Sequence, residues 1–273
     1  MWRLNGVDGA LLAVTDRGLS YGDGVFRTIK VQNGQPLFWA AHFQKLCADA
    51  ARLALVCPDE NLWLADCEAL IASHGDGVLK LVLTRGASGR GYRMPEVAEP
   101  TRLVMWSPLP DYSAEFALKG VALRLCSLRL SRQPLLAGIK HLNRLENVLA
   151  RAEWNDPVYI EGVLLDQQGH VVEGVMSNLF WRVGDVWETP NLDESGVSGV
   201  MRAWVIQHLK QAHAPINEVK ARIERLQDAE EFFICNSLIG VWPVALFENK
   251  RWSSFAMALH LQQCLQHEEA SAR

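Results

Sequence analysis

The chain has 273 residues, 49% of them apolar, with 27 basic and 31 acidic side chains and a formal charge of −4. That length supports one or two domains around a sizeable core, and the slightly acidic balance gives no case for nucleic-acid binding. No apolar run reaches the length of a membrane span, and Met1-Trp2-Arg3-Leu4-Asn5-Gly6 lacks the apolar stretch of a secretion signal.

Ala10–Val14 reads as a short strand and Thr15–Gly24 as a glycine-rich loop. Val25–Val31 alternates as a strand does, Asn33-Gly34 supplies a hairpin turn because both residues tolerate positive φ, and Leu37-Phe38-Trp39 returns. From Ala40 to Leu55, Phe43, Leu46, Cys47, Ala50, Leu53 and Ala54 recur at helical spacing, and Glu60–Ser73 predicts a second helix. Val78–Arg85 is a strand with apolar bias on both faces, followed by the glycine and arginine loop Gly86–Tyr92. Arg102–Trp106 is another strand, ended by Pro108 and Pro110, since proline interrupts both ladder and helix. These breaks predict a small N-terminal domain over 1–110, a linker over 111–119 and a larger domain over 120–273.

The second half opens with the strand Val121–Cys126. Lys140 follows the irregular approach Gln133–Gly138, and Asn143 with Glu146 three residues on predicts a capping box for a helix reaching Trp154. A lysine in a partly desolvated pocket loses basicity, and a neutral amine can form a Schiff base with a carbonyl. Val158–Leu165, Val171–Gly174, Asn178–Trp181 and Val183–Trp187 read as strands of a meander. Gly196-Val197-Ser198-Gly199 opens a helix from Val200 to about Ala212, an arrangement that suits an anion. Glu231–Cys235 and Val241–Leu246 are strands, and a last helix runs from about Ser254 to Gln266 with a fraying tail beyond. The order is α+β, with helices laid on one side of hairpins and meanders.

The six cysteines show no Cys-x-x-Cys pairing and lie mostly in apolar runs, which predicts buried free thiols, no disulfide frame, no zinc site and a reducing cytoplasm. The eight histidines lack metal-ligand spacing; His42 and His141 read as structural or orienting residues.

Five motifs stand in order: Tyr21-Gly22-Asp23-Gly24-Val25-Phe26-x-Thr28; Arg85-Gly86-x-x-Gly89-Arg90-Gly91-Tyr92; Gly138-Ile139-Lys140-x-Leu142-Asn143-Arg144-Leu145-Glu146; Glu173-Gly174-x-x-Ser177-Asn178-Leu179-Phe180; and Gly196-Val197-Ser198-Gly199-Val200-x-Arg202. Together they resemble the fold-type IV pyridoxal-phosphate enzymes, the branched-chain and D-amino-acid aminotransferase superfamily, over essentially the whole length. The resemblance implies two α/β domains joined by a short linker, a homodimer and pyridoxal 5′-phosphate as cofactor. It implies that Lys140 carries the cofactor and shuttles a proton, while Glu173 meets the pyridine nitrogen and keeps the ring protonated. Ser198, Gly199, Val200 and Met201 would cradle the 5′-phosphate, with Ser237 and Asn178 beside it. Lys45 stands where the family usually carries a phosphate-binding arginine, and lysine keeps the charge without the planar fork.

Thr28 implies the lyase branch, since branched-chain aminotransferases tend to have glycine there. That branch converts 4-amino-4-deoxychorismate to 4-aminobenzoate and pyruvate for folate synthesis. A threonine in a strand is also an ordinary β-branched residue. Arg90, with Tyr92 and Tyr21, is the expected grip on a substrate carboxylate, with Arg85 and Arg93 as alternates. A D- or branched-chain aminotransferase is the competing activity.

Overall fold

Strand alternation governs the first hundred residues. The computed structural model describes residues 1–271 and parts the chain into two units, Met1–Pro110 with Lys140–Asn143, and Asp111–Ile139 with Arg144–Ser271. In the first unit, β1 (Trp2–Leu4), β2 (Val7–Asp8), β3 (Gly24–Gln32), β4 (Gln35–Pro36), β5 (Gly77–Thr84) and β6 (Thr101–Ser107) form one antiparallel sheet ordered β2-β1-β6-β5-β3-β4. The period of two divides β3 between faces: Val25, Arg27, Ile29 and Val31 are buried, whereas Phe26, Thr28 and Lys30 are half-buried on the other side.

Three helices accompany this sheet: α1 (Arg17–Tyr21), α2 (Trp39–Arg52) and α3 (Glu60–His74). Asp16 caps α1 by accepting from Gly18 N–H at 2.7 Å. The buried positions of α2 are His42, Leu46, Asp49 and Ala50, one helical face by spacing, so two polar residues lie on its inner side. At the β3–β4 hairpin, Asn33 and Gly34 take φ of 53° and 73°, and the Asp76 carboxylate accepts both of their N–H groups.

The second unit is built on a nine-stranded mixed sheet. It contains α4 (Glu115–Lys119), β7 (Val121–Leu130), α5 (Leu145–Arg151), β8 (Tyr159–Asp166), β9 (Val171–Gly174), β10 (Asn178–Val183), β11 (Val186–Pro190), α6 (Val200–Gln211) and β12 (Ile216–Val219). A 3-10 turn (Ile223–Gln227), β13 (Glu231–Asn236), β14 (Gly240–Phe247), β15 (Lys250–Arg251) and α7 (Ala256–Ser271) complete it. The strand order is β12-β11-β10-β13-β14-β7-β8-β9, with β15 paired to β14. Its core joins Leu123, Val163, Leu179, Trp181, Phe232, Val244 and Phe247, all fully buried.

Several sequence expectations give way. Ala10–Val14 forms no strand; Leu11 and Val14 are 88% and 83% exposed, so an apolar run without alternation found no ladder to join. The return of the first hairpin stops at Pro36, because Phe38 takes φ 53° and Trp39 already begins α2. A five-residue helix, α1, occupies the loop expected over Thr15–Gly24. Residues 111–119, read as a linker, carry α4 and fall within the second unit. The capping box is absent: α5 starts at Leu145 behind Arg144 with no side-chain cap, and Glu146 instead accepts from Ser131 N–H at 2.7 Å. That helix stops at Arg151, short of Trp154, whereas α7 stays helical through Ser271.

The cysteines are corrected too. Cys47, on α2, and Cys57, in the segment that follows it, form a disulfide; Cys67, Cys126, Cys235 and Cys264 are free. No Cys-x-x-Cys spacing flagged the pair, because the turn after α2 brings together two residues that lie ten apart. Alkylation of the denatured, unreduced protein should label four cysteines, and all six after reduction. Six labelled without reductant, read by intact mass, would remove the bridge.

Candidate active site

Lys140 lies in an irregular stretch between β7 and α5, where no strand ladder or helix supplies its main-chain bonds. Its N–H donates to Asp49 Oδ2 at 3.0 Å and its carbonyl accepts from Phe26 N–H at 2.9 Å. The following residues continue along β3: His141 bridges Val25, and Leu142 N–H donates to Gly24 O at 3.0 Å. The Lys140 ammonium lies 4.7 Å from the centre of the Phe26 ring, a cation–π distance.

Phe26 and Thr28 share a face of β3, one pleat apart, so the Thr28 hydroxyl lies on the side of the strand that the Lys140 amine covers. Directly across from Thr28 is Lys80 on β5, whose ammonium is 5.1 Å from the same phenyl ring. Sequence reasoning passed over Lys80, a charged residue inside an apolar strand; its half-buried position in a run of buried neighbours was the available signal.

The opposite, buried face of β3 carries Arg27. Its guanidinium pairs with Asp49, which also takes the Lys45 ammonium from one turn earlier on α2. Burial lowers the Arg27 and Lys45 pKa values from their ordinary ranges, and Asp49 opposes that shift in both. Arg27 Nε and His42 Nδ1 are buried and, among the described residues, have no hydrogen-bond partner. Burial, reinforced by the Arg27 and Lys140 charges, pushes His42 down to about 3, so this imidazole is neutral at physiological pH.

The tyrosine and arginine loops are more varied. Burial would raise the Asp23 pKa, but Arg85 and Arg17 hold it below the usual carboxylate range. Arg85 grips both Asp23 oxygens at 2.8 and 3.0 Å and donates to the carbonyls of Leu53 and Ala54. It is thus committed inside the fold. Arg93 is exposed beside Glu96. Arg90 is exposed and makes no hydrogen bond or ion pair among the described residues. Tyr92 is 87% exposed and lies 5.4 Å from the Tyr21 ring, whose hydroxyl accepts from Gly91 N–H at 3.1 Å.

In the second unit, Glu173 is 4% exposed on β9, and its Oε2 accepts from Val197 N–H at 2.7 Å. The carbonyl of the same Val197 accepts from Asn178 Nδ2 at 2.8 Å. Ser198 N–H donates to Gly138 O, and Gly138 N–H to Gly196 O, so the turn ahead of α6 is fastened on both sides. Gly199 is the N-cap of α6, and a Cβ there would meet Asn178 Oδ1 at 2.5 Å. The N–H groups of Val200 and Met201, in the first turn, have no preceding helical turn to bond to, as at any helix start. Ser237, in the turn between β13 and β14, is half-buried, and its hydroxyl makes no hydrogen bond among the described residues.

Glu161 is a second acid that sequence reasoning passed over. It is 1% exposed and accepts from the N–H groups of Gly162, Val175 and Met176 and from the Ser177 hydroxyl. Burial raises its pKa against those four donors. They fasten the turn between Glu173 and Asn178.

A family profile described as "Amino-transferase class IV" matches residues 24–247. The chain is 37% identical to an aminodeoxychorismate lyase of Vibrio harveyi over 245 residues, 90% of each chain. It is 30% identical to a putative branched-chain-amino-acid aminotransferase of Methanocaldococcus jannaschii, covering 86% of this chain and 82% of that one. Among solved structures, a 4-amino-4-deoxychorismate lyase from Pseudomonas aeruginosa aligns with a TM-score of 0.94 at 41% identity, covering 98% of both chains.

The His42 shift carries a pH dependence whose sign is fixed. Its folded value, about 3, lies below the unfolded 6.5, so the unfolded chain binds the extra proton between them. The contribution is complete above pH 6.5 and is lost as pH falls toward 3. Urea unfolding should show the wild type losing up to about 1.4 kcal/mol per pH unit through this group in that window. His42→Leu should flatten the slope; an unchanged slope would place the proton uptake elsewhere.

Proposed function

The chain belongs to the class IV aminotransferase family, and we propose that it is a pyridoxal 5′-phosphate-dependent lyase that converts 4-amino-4-deoxychorismate to 4-aminobenzoate and pyruvate, a step of folate synthesis. The observation that carries this reading is the Thr28 hydroxyl on the face of β3 where the Lys140 amine lies over Phe26. Two lyase relatives, at 37% and 41% identity over nine-tenths or more of the chain, support the same activity.

The residues fit such a cofactor. Glu173 offers a buried carboxylate, the acid needed to keep a pyridine nitrogen protonated. Gly199 lies so close to Asn178 that a Cβ would meet its Oδ1 at 2.5 Å, and it caps a twelve-residue helix whose first N–H groups suit a phosphate. Ser198, Val200 and Met201 belong to the same turn, Ser237 offers a hydroxyl, and Lys45 contributes positive charge. When bound, the cofactor's protonated ring draws off the electron pair left as a proton departs from the substrate carbon beside the amine.

Each remaining step falls to side chains of the protein. The Lys140 Nζ takes the proton from C4 of the substrate. The C3–O bond to the enolpyruvyl group then breaks, its electron pair leaving with oxygen, and the ring becomes aromatic. Thr28 Oγ1 delivers a proton toward that departing oxygen. Phe26 keeps water from one side of the Lys140 amine. Arg90 is the proposed partner of a substrate carboxylate, since Arg85 is committed to Asp23. Tyr21 and Tyr92 stand beside that loop.

The working form in this reading is a homodimer. Leu145, Val148 and Leu149, at one face of α5, are 75%, 60% and 60% exposed, an apolar stripe that suits a second copy. Among the described residues no helix is long and apolar enough to cross a membrane. We place the reaction in the cytoplasm; the four free thiols support that location and the Cys47–Cys57 bridge does not.

The test is release of 4-aminobenzoate from aminodeoxychorismate by the cofactor-loaded protein. Lys140→Ala should abolish it. Thr28→Val keeps the β-branched shape without the hydroxyl and should lower kcat roughly 10²-fold or more. Sustained transamination of 2-oxoglutarate, faster than 4-aminobenzoate release, would reject the lyase in favour of an aminotransferase.

A further inference from the structure

The inner face of α2 holds a charge that the reaction as described does not use. Asp49 is 1% exposed. Its Oδ2 accepts from the Arg27 guanidinium and from Lys140 N–H, the latter at 3.0 Å, and its Oδ1 takes the Lys45 ammonium. Arg27 Nη2 donates in addition to Lys45 O at 3.1 Å, so the guanidinium is tied to the α2 main chain as well as to the carboxylate.

We propose that Asp49 is the positioning residue of Lys140: its carboxylate fixes the peptide that carries the reactive amine, and Arg27 fixes the carboxylate. The inference rests on the reading of Lys140 as the cofactor-bearing lysine.

Three observations separate this from an ordinary buried ion pair. The charges of Arg27 and Lys45 already suffice to neutralise Asp49, yet one oxygen also takes a main-chain N–H that arrives from ninety-one residues along the chain. Lys140 lies outside every helix and strand, so without Asp49 its N–H would have no regular partner. Finally, that peptide's neighbour on the other side is equally constrained, because Lys140 O accepts from Phe26 N–H on β3. Loss of the hydrogen bond from Lys140 N–H to Asp49 would therefore free one end of a segment whose other end stays pinned, letting the amine swing.

Asp49→Ala would strand Arg27 in the interior and is a poor test, since a buried unpaired charge is strongly destabilising. Asp49→Asn keeps the shape and one acceptor oxygen but loses the charge. Arg27→Met with Asp49→Leu removes both buried charges together, and Lys45, with its side chain a quarter exposed, can turn to water. The apo-protein of each is mixed with saturating pyridoxal 5′-phosphate and quenched with borohydride at intervals. Peptide mass spectrometry then gives the rate of adduct formation at Lys140, and Tm is read in parallel.

Trapping should slow about ten- to a hundred-fold in the double variant and less in Asp49→Asn, the range set by a hydrogen bond to a charged group. A merely structural Asp49 would lower Tm while the folded fraction trapped at the wild-type rate. Wild-type trapping in either folded variant overturns the proposal. A wild type that forms no adduct at Lys140 instead overturns the reading of Lys140 on which it rests.

Discussion

The Lys140 peptide segment is held at both ends, its N–H by the Asp49 carboxylate and its carbonyl by the Phe26 N–H. In the proposed reading, the direction of the Lys140 amine depends on that. An amine on a four-carbon stem explores many rotamers, and only an immobile backbone leaves its own torsions as the remaining freedom. The sheet supplies one clamp because β3 is locked along its length to β5. The helix supplies the other because its inner face gives up two apolar positions, His42 and Asp49. Burying an aspartate and an arginine is costly, and removing one partner alone costs about 3–5 kcal/mol. Such an arrangement is a poor way to gain stability and a good way to fix a geometry.

The second unit repeats the device around a different residue. Val197 has its N–H on the buried Glu173 carboxylate and its carbonyl on the Asn178 amide. The turn that opens α6 therefore has a fixed direction, and its glycine lies against Asn178 with no room for a side chain. Glu161 extends the same logic one turn back, tying down Val175, Met176 and Ser177 between the two residues that hold Val197. Arg144 completes the electrostatics of that neighbourhood. Burial lowers its pKa, and Glu173 and Glu146 offset the shift.

Much of this was legible in the sequence, for reasons specific to each residue. Asn33-Gly34 is a turn in almost any context, and the α6 turn is announced by Gly196, which takes φ 81°, and by Gly199, which packs on Asn178 where a Cβ would collide. Lys140 and Glu173 stand out as candidates through the order of five motifs rather than through their own surroundings. Thr28 was singled out the same way, and only the strand register puts it across from Lys80 and beside Phe26. What stayed hidden depends on contacts between distant positions. The Cys47–Cys57 bridge needs the turn after α2, and the commitment of Arg85 needs Asp23 and the carbonyls of Leu53 and Ala54 to converge. Asn143 and Glu146 satisfied a local capping rule, yet Asn143 donates to Gly22 O and Glu146 accepts from Ser131 N–H, because tertiary partners outbid the local one.

Asp49 shows what such a reading can still recover. An aspartate in a helix is normally assigned to solvent, and nothing next to it in sequence contradicts that. Yet the apolar stripe of α2 places position 49 between Leu46 and Ala50, on the side that packs on β3. A charge on that stripe must find a cation from the facing element, and β3 alternates so that its inward positions are Val25, Arg27, Ile29 and Val31. Arg27 is the single charged residue in that set. Two amphipathic faces, β3 broken by Arg27 and α2 by Asp49 and the neutral His42, thus carry one buried charge each, of opposite sign. A carboxylate so placed has lone pairs left over, and in a folded protein those seek N–H donors. The N–H that Asp49 takes is that of Lys140, outside every helix and strand, so the irregular segment and the polar inner face of α2 are parts of one arrangement.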